Sequence, residues 1–172
     1  MNNWKKYFKP IPVGEKLLIR PLWEEEVDPQ GRVVLNLEPG IAFGTGTHET
    51  TRLCLELLEK YISAGDCFLD MGCGSGILSV AALLLGAESA VGVDIDPLAV
   101  KTAEENAASN QVADRFTGIC GDLTEKVTGK YHVVAANIVA DIVILLSQDA
   151  PWFMYENSVF IVSGIIDTRE QD

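Results

Sequence analysis

The sequence predicts an α/β domain built on a doubly wound, mainly parallel sheet. Two observations carry that expectation. Beyond Gly65, short and almost continuous apolar runs alternate with stretches of helical length, and strands that are apolar on both faces belong to parallel sheets covered by helices. The chain also has the means to bury such a sheet. Its 172 residues, 48% hydrophobic and 22% charged, suffice for one domain with a sizeable core and exclude a peptide, a coiled coil or a disordered tail.

The elements follow in order. Between Leu17 and Leu37 two β-type runs, LLIRP and VVLNL, flank Asp28-Pro29-Gln30-Gly31, turn chemistry that predicts an N-terminal hairpin or a pair of edge strands. Residues 1–40 are read as this connecting segment and 41–172 as the main domain. The loop PGIAFGTGTHETT comes next and runs into RLCLELLEKYI, where Leu53, Leu57, Leu58 and Tyr61 keep helical spacing behind capping threonines. Strands are then predicted over 67–71, 90–94, 116–120, 131–137 and 158–163, with helices over 77–85, 97–110 and 138–146. Pro97 suits a first helical turn, and Pro151 stops the helix before the last strand. The sequence ends at Asp172, a few residues past the fifth strand, so the sheet is expected to be truncated there, with that strand as an edge.

Charge and cysteine usage narrow the function. Lys plus Arg number 13 against 25 for Asp plus Glu, a formal charge of −12, and a field of that sign repels phosphate backbones and anionic lipid while attracting a basic protein. Cys54, Cys67, Cys73 and Cys120 form no C-x-x-C pair, and His48 and His132 are far apart, so neither a zinc site nor a disulfide framework is expected. The N-terminus lacks an apolar h-region, and the greasy run from Ile77 to Ala87 is too short to span a bilayer. The expectation is a soluble, cytoplasmic protein.

Ligands of doubly wound sheets bind outside the carboxyl ends of the strands, where strand order reverses. The first strand of the alternating region ends in LDMGCGSG, whose Gly72, Gly74 and Gly76 let the backbone turn tightly and approach a ligand before a helix N-terminus. The second strand ends at Asp94, 22 residues after Gly72, the station at which an acid accepts ribose hydroxyls. Together they predict a nucleoside cofactor. The dinucleotide fingerprint G-x-G-x-x-G is not met, because Ile77 stands at its third glycine. This disfavours a nicotinamide oxidoreductase and favours a cofactor without a pyrophosphate, such as S-adenosyl-L-methionine.

Further strand ends add candidates. Asp122, in Gly121-Asp122 after the third strand, is placed to accept from an adenine amino group or to form a turn. Asp96 and Asp114 read as caps and turn formers. Asn137 closes the fourth strand in VVAANIVAD, where substrate and cofactor should meet; it also suits an N-cap, and the two roles are compatible. The loop AFGTGTHETT gathers Phe43, Thr45, Thr47, His48, Thr50 and Thr51 between glycines, a composition suited to closing over a nucleoside, with His48 more readily structural than a base.

The runs LEPGIAFGTGTHETTRLCL, FLDMGCGSGILSVAALLLGA, VGVDIDPLAV and AANIVAD closely resemble the bacterial ribosomal protein L-eleven methyltransferase family, from about Leu17 to Gly164. The resemblance implies a Rossmann-like seven-stranded methyltransferase fold using S-adenosyl-L-methionine. It implies an enzyme that methylates lysine side chains and the α-amine of large-subunit ribosomal protein L-eleven, a basic partner, with neither a membrane nor direct nucleic acid involved. Cofactor contacts carry over onto Thr51, Gly72, Asp94 and Asn137; Gly74, Gly76, Phe43, Thr47 and Asp122 join them as candidates. Asn137 also resembles the first position of the Asn/Asp-Pro-Pro-Tyr/Phe motif of amino-methylating enzymes. That likeness implies catalytic roles for the Asn137 side chain and the Ile138 carbonyl as acceptors that orient the amine. Ile138, Val139 and Ala140 replace the prolines and the aromatic, which argues against stacking a planar base and toward a slender aliphatic amine. The family's separate N-terminal recruiting domain and last two strands are not found in these residues. Other readings are a methyltransferase of another protein, a small molecule or RNA, and a non-catalytic nucleoside-binding domain.

Overall fold

The computed structural model describes residues 10–21, 28–37, 48–122, 126–137 and 150–163. Strands β1 (Ile11–Val13), β2 (Leu17–Pro21) and β3 (Val33–Leu37) form a small sheet. Helix α1 (His48–Tyr61) then leads to β4 (Cys67–Met71), α2 (Ile77–Leu84), β5 (Ser89–Asp94), α3 (Pro97–Ser109), β6 (Phe116–Cys120), β7 (Tyr131–Asn137) and β8 (Met154–Ser163). The larger sheet runs β6-β5-β4-β7-β8, with every neighbouring pair parallel. The expected doubly wound sheet is therefore present. Its order reverses between β4 and β7, which is where such a sheet opens a crevice at its carboxyl edge.

Alternation along the central strands explains the layering. Phe68, Val133 and Ala135 point to one face and join Leu55, Leu58, Leu78, Val80, Ala81 and Ala107 from helices α1, α2 and α3. Leu69, Met71, Val93, Val134 and Ala136 point to the other and are fully buried there, beside Val127 and Tyr131. The first cluster does not stop at the helices: Val13, Leu17, Ile19, Leu35 and Leu37 of the small sheet belong to it. The small sheet thus covers the outer side of the helix layer, and burying its apolar face there is what holds it.

The N-terminal strands pair differently from expectation. LLIRP and VVLNL are strands β2 and β3, but they run parallel, Leu17 opposite Val33 through Pro21 opposite Leu37. They are not the arms of a hairpin. The hairpin is β1 with β2, Ile11 opposite Ile19, around a turn at Gly14. Asp28-Pro29-Gln30-Gly31 does turn, with Arg32 N–H donating to the Pro29 carbonyl and Gln30 N–H to the Asp28 carboxylate, yet it returns the chain alongside β2 rather than folding it back.

The other boundaries hold to within a few residues. Helix α1 begins at His48, β5 at Ser89, and α3 ends at Ser109. Strand β8 starts earlier than expected, at Met154, because a bulge separates the pair Tyr131–Met154 from Val133–Val159. Pro151 lies in a single 3₁₀ turn, Ala150–Phe153, ahead of it. The helix expected over 138–146 and the boundary near residue 40 lie outside the described residues. Among the described residues no helix is long and apolar enough to cross a membrane.

Candidate active site

The chain between β4 and α2 turns through three glycines with positive φ, Gly72 at 72°, Gly74 at 52° and Gly76 at 79°. Two of these show why a side chain is unwelcome. Gly76 is the N-cap of α2, and a Cβ there would stand 2.7 Å from the Cβ of Ala103 on α3, so the helices meet only because the residue has none. At Gly74 a Cβ would meet nothing within 4 Å: the loop's backbone is bare toward the crevice, as close approach to a ligand requires.

The loop hangs on strand β5. Gly72 N–H and Cys73 N–H both donate to the Val93 carbonyl, at 2.8 and 3.0 Å. Gly74 N–H donates to Asp94 Oδ2 at 2.9 Å, while Asp96 N–H donates to Asp94 Oδ1 at 3.0 Å. Asp94 is half-buried and keeps lone pairs on both oxygens, since an ionised carboxylate has about four acceptor sites. Gly121 N–H donates to the Asp94 carbonyl at 3.0 Å, which brings the exposed Asp122 beside the same strand end. Asp96 caps α3 as expected, accepting from Leu98 N–H at 2.9 Å with Pro97 in the first turn. Asp114 sits in the first turn of a 3₁₀ helix, Ala113–Arg115.

A cavity of about 350 Å³ opens between the loop and α3, lined by Gly74, Ser75, Asp96, Leu98, Ala99 and Thr102. Among the described residues no Lys or Arg lines it, and the carboxyl of Asp96 does. Such a frame suits a neutral or cationic nucleoside ligand and lacks the donors that a pyrophosphate needs. The bare glycine backbone, the carboxylate of Asp94 at the strand end and this charge pattern all fit S-adenosyl-L-methionine.

Two residues that support the loop escaped the sequence reading. Asp70 of β4 is 1% exposed and accepts from Ser79 Oγ of α2 at 2.8 Å. Burial pushes its carboxyl up to about 7, against the lowering effect of the Ser79 hydroxyl and N–H, and the nearby Asp94 charge pushes the same way as burial. Asn106 of α3, also buried, donates to the Ser75 carbonyl at 2.7 Å. Its own carbonyl accepts from Asn110, which exchanges bonds of 2.7 and 2.9 Å with Asn36 of β3. The signals were in the sequence: an acid inside the apolar run FLDM, and an amide on the inward stripe of α3 beside Val100 and Ala103. A buried acid or amide needs a partner, but sequence does not name it. Cys73 lies in the loop, where burial first, then Asp70 and Asp94, push its thiol above its usual range and so disfavour the thiolate.

The remaining candidates divide. Thr51 is buried in the first turn of α1. The short connection 62–66 returns that helix to the amino end of β4, so its first turn lies toward the carboxyl edge. Asn137 ends β7 opposite Ser163 of β8, one strand over from the glycine loop. Phe43, Thr47 and Ile138 lie outside the described residues. Among the described residues no group of His, Cys, Asp and Glu is arranged to hold a metal, and none of the four cysteines is in a disulfide.

Comparison with known proteins agrees with this arrangement. The family model "Ribosomal protein L11 methyltransferase (PrmA)" matches residues 1–172. A ribosomal protein L11 methyltransferase of Clostridium perfringens is 48% identical over 170 residues, covering 99% of this chain and 54% of that protein. One of Alkaliphilus oremlandii is 48% identical over 164 residues, 95% of this chain and 52% of the relative. The chain therefore spans about half the length of the curated relatives it matches. Among solved structures, ribosomal protein L11 methylase from Lactobacillus delbrueckii subsp. bulgaricus superposes with a TM-score of 0.85 at 32% identity, covering 95% of this chain and 82% of that one. An RNA methyltransferase from Salinibacter ruber, in complex with S-adenosyl-L-homocysteine, gives 0.53 at 26% identity, covering 59% and 67%. On the full-length family match and the identity to these relatives, the chain belongs to the ribosomal protein L11 methyltransferase family.

Proposed function

We propose that this chain is the catalytic part of an S-adenosyl-L-methionine-dependent N-methyltransferase acting on lysine side chains and the α-amine of ribosomal protein L11, in the cytoplasm. The observation that carries the reading is the convergence of the glycine loop after β4, Asp94 at the end of β5 and Asn137 at the end of β7 around the reversal of strand order. The names of the relatives support the substrate, and the S-adenosyl-L-homocysteine complex of the Salinibacter ruber enzyme supports the cofactor. The net charge of −12 favours a basic protein over RNA as acceptor.

The bound cofactor supplies a methyl group activated on a sulfonium sulfur. The protein's part is then position and electrostatics. Asp94 accepts hydrogen bonds from the ribose hydroxyls, and the backbone at Gly72, Gly74 and Gly76 makes room for the methionine portion. Asp122 would accept from the adenine amino group, and Phe43, Thr47 and Thr51 would complete the cofactor contacts. The Asn137 side-chain carbonyl and the Ile138 carbonyl accept the amine's N–H bonds and turn its lone pair toward the methyl. The amine must be neutral to attack, and a free lysine has a pKa of about 10.4; desolvation in the crevice lowers it, so no strong base is required.

Calorimetric titration with S-adenosylhomocysteine, with NAD in parallel, tests the cofactor class: binding of the first alone is expected, and binding of NAD alone would overturn the reading. Methyl transfer to ribosomal protein L11 by the full-length protein, followed by mass spectrometry, tests the substrate. In that assay Asn137→Ala is expected to weaken cofactor binding and, at saturating cofactor, to lose transfer about a hundredfold, the scale of one preorganised contact; full retention of transfer removes the orienting role.

A further inference from the structure

The small N-terminal sheet is fastened to both outer helices of the layer it covers. On the α1 side, the turn between β1 and β2 lies between two charges. The Glu59 carboxylate of α1 accepts from the N–H groups of Glu15 at 2.9 Å and Lys16 at 3.2 Å, while the Arg32 guanidinium donates to the carbonyls of Val13, Gly14 and Leu17 at 3.3, 2.8 and 3.0 Å. On the α3 side the fastening is Asn110, the C-cap of the helix. Asn36 N–H of β3 donates to its side-chain oxygen at 2.7 Å, and its amide donates back to the Asn36 carbonyl at 2.9 Å.

Asn110 reaches further than the sheet. Its amide also donates to the Asn106 main-chain carbonyl at 2.8 Å, and the Asn106 side chain donates to the Ser75 carbonyl at 2.7 Å. Ser75 lines the cavity beside Gly74, and Thr102, one turn before Asn106, lines it from α3. A chain of hydrogen bonds thus runs from the main chain of β3 to the cavity wall. Asn106 and Asn110 are both buried, so a broken link is left unsatisfied rather than handed to water. Burial of Leu17, Ile19, Leu35 and Leu37 attaches the sheet without direction; short amide bonds fix where it sits along α3.

We infer that Asn110 is a positioning residue that couples the small sheet to cofactor binding. The sheet seated on α3 holds Asn106 against Ser75, and a ligand seated on the loop tightens the sheet in return, because coupling between two sites is reciprocal. The N-terminal strands then take part in the reaction without touching a reactant: whatever displaces them from α3 weakens the hold on the cofactor. The inference rests on the cofactor reading above.

The test is hydrogen exchange at the amides of β2 and β3, Asn36 apart, with and without S-adenosylhomocysteine, together with the calorimetric affinity for that ligand. In the wild-type chain the ligand is expected to slow exchange there about fivefold, the lower end of ordinary coupling between sites. In Asn110→Ala the ligand-dependent slowing is expected to vanish and the affinity to fall about fivefold. In the full-length protein the same variant is expected to raise KM for S-adenosylmethionine by about this factor, with kcat at saturation retained. Arg20→Ala removes a different bond of the sheet, from Arg20 Nε to Asn36 Oδ1 at 2.8 Å, and is expected to keep both the slowing and the affinity. A purely structural role for Asn110 would lower the thermal midpoint of its Ala variant and leave affinity and slowing as in the wild type, which overturns the inference. Wild-type exchange that does not respond to a bound ligand overturns it as well, even if the Ala variant fails to fold, and leaves the cofactor reading standing. Absence of any binding to the wild-type chain overturns both.

Discussion

The two flanks of the glycine loop are held by side chains of different chemistry. On the β4 flank the hold is a buried carboxylate, Asp70, with a carboxyl pushed up to about 7. On the α3 flank it is a buried amide, Asn106, bonded to the Ser75 carbonyl and continued through Asn110 to Asn36 of the small sheet. An amide holds equally at every pH. A carboxylate so deeply desolvated is an acceptor whose strength and energetic cost change near neutrality. The loop thus has one constant support, reaching out to the N-terminal strands, and one at the end of β4 whose strength changes with pH.

The largest expected effect separates the two supports by pH. Asp70 has a folded-state value near 7 against an ordinary 3.8, so the folded protein binds the proton more tightly than the unfolded chain. Its stabilising contribution is complete below about pH 4 and is lost as pH rises to about 7, a change on the order of 4 kcal/mol. Chemical denaturation across that range should show wild type falling relative to Asp70→Asn by about this amount, then running parallel above pH 7.

Gly76→Ala comes next. It strains a left-handed residue and drives a methyl group against Ala103, for a combined loss of about 3 kcal/mol, seen as a lower thermal midpoint and absent S-adenosylhomocysteine binding. Asn106→Ala should lose about 2 kcal/mol by orphaning the buried Ser75 carbonyl, equally at pH 5 and pH 8. A pH-dependent loss there would break the comparison. Gly74→Ala is the smallest, about 1 kcal/mol from its φ alone, because nothing surrounds the added methyl. Its binding defect should exceed its stability defect if the bare backbone at Gly74 faces the ligand.

Much of this was legible in sequence because it is local. The apolar runs 67–71 and 131–137 coincide with the central strands β4 and β7, since a strand buried on both faces is apolar nearly throughout, and the run 116–120 coincides with the edge strand β6. The Gly72-to-Asp94 spacing was legible for a related reason: one helix and one strand fill it, so both ends return to the same edge. The bond from Gly74 N–H to Asp94 is the result.

What sequence could not decide was who partners whom. LLIRP and VVLNL carry the same β signal whether they run parallel or antiparallel, and only burial of Leu17, Ile19, Leu35 and Leu37 on one face against the helices selects the parallel register. In the sequence Asp70 is an acid inside the apolar run FLDM, and Asn106 an amide on a helix. That one caps a helix nine residues ahead and the other grips a loop 31 residues behind depends on how α2 and α3 cross at Gly76 and Ala103. Periodicity along the chain determined the elements, because it reflects each residue's own exposure. The identity of a buried polar group's partner was left to the tertiary structure, because desolvation makes a partner obligatory while only packing brings one within reach.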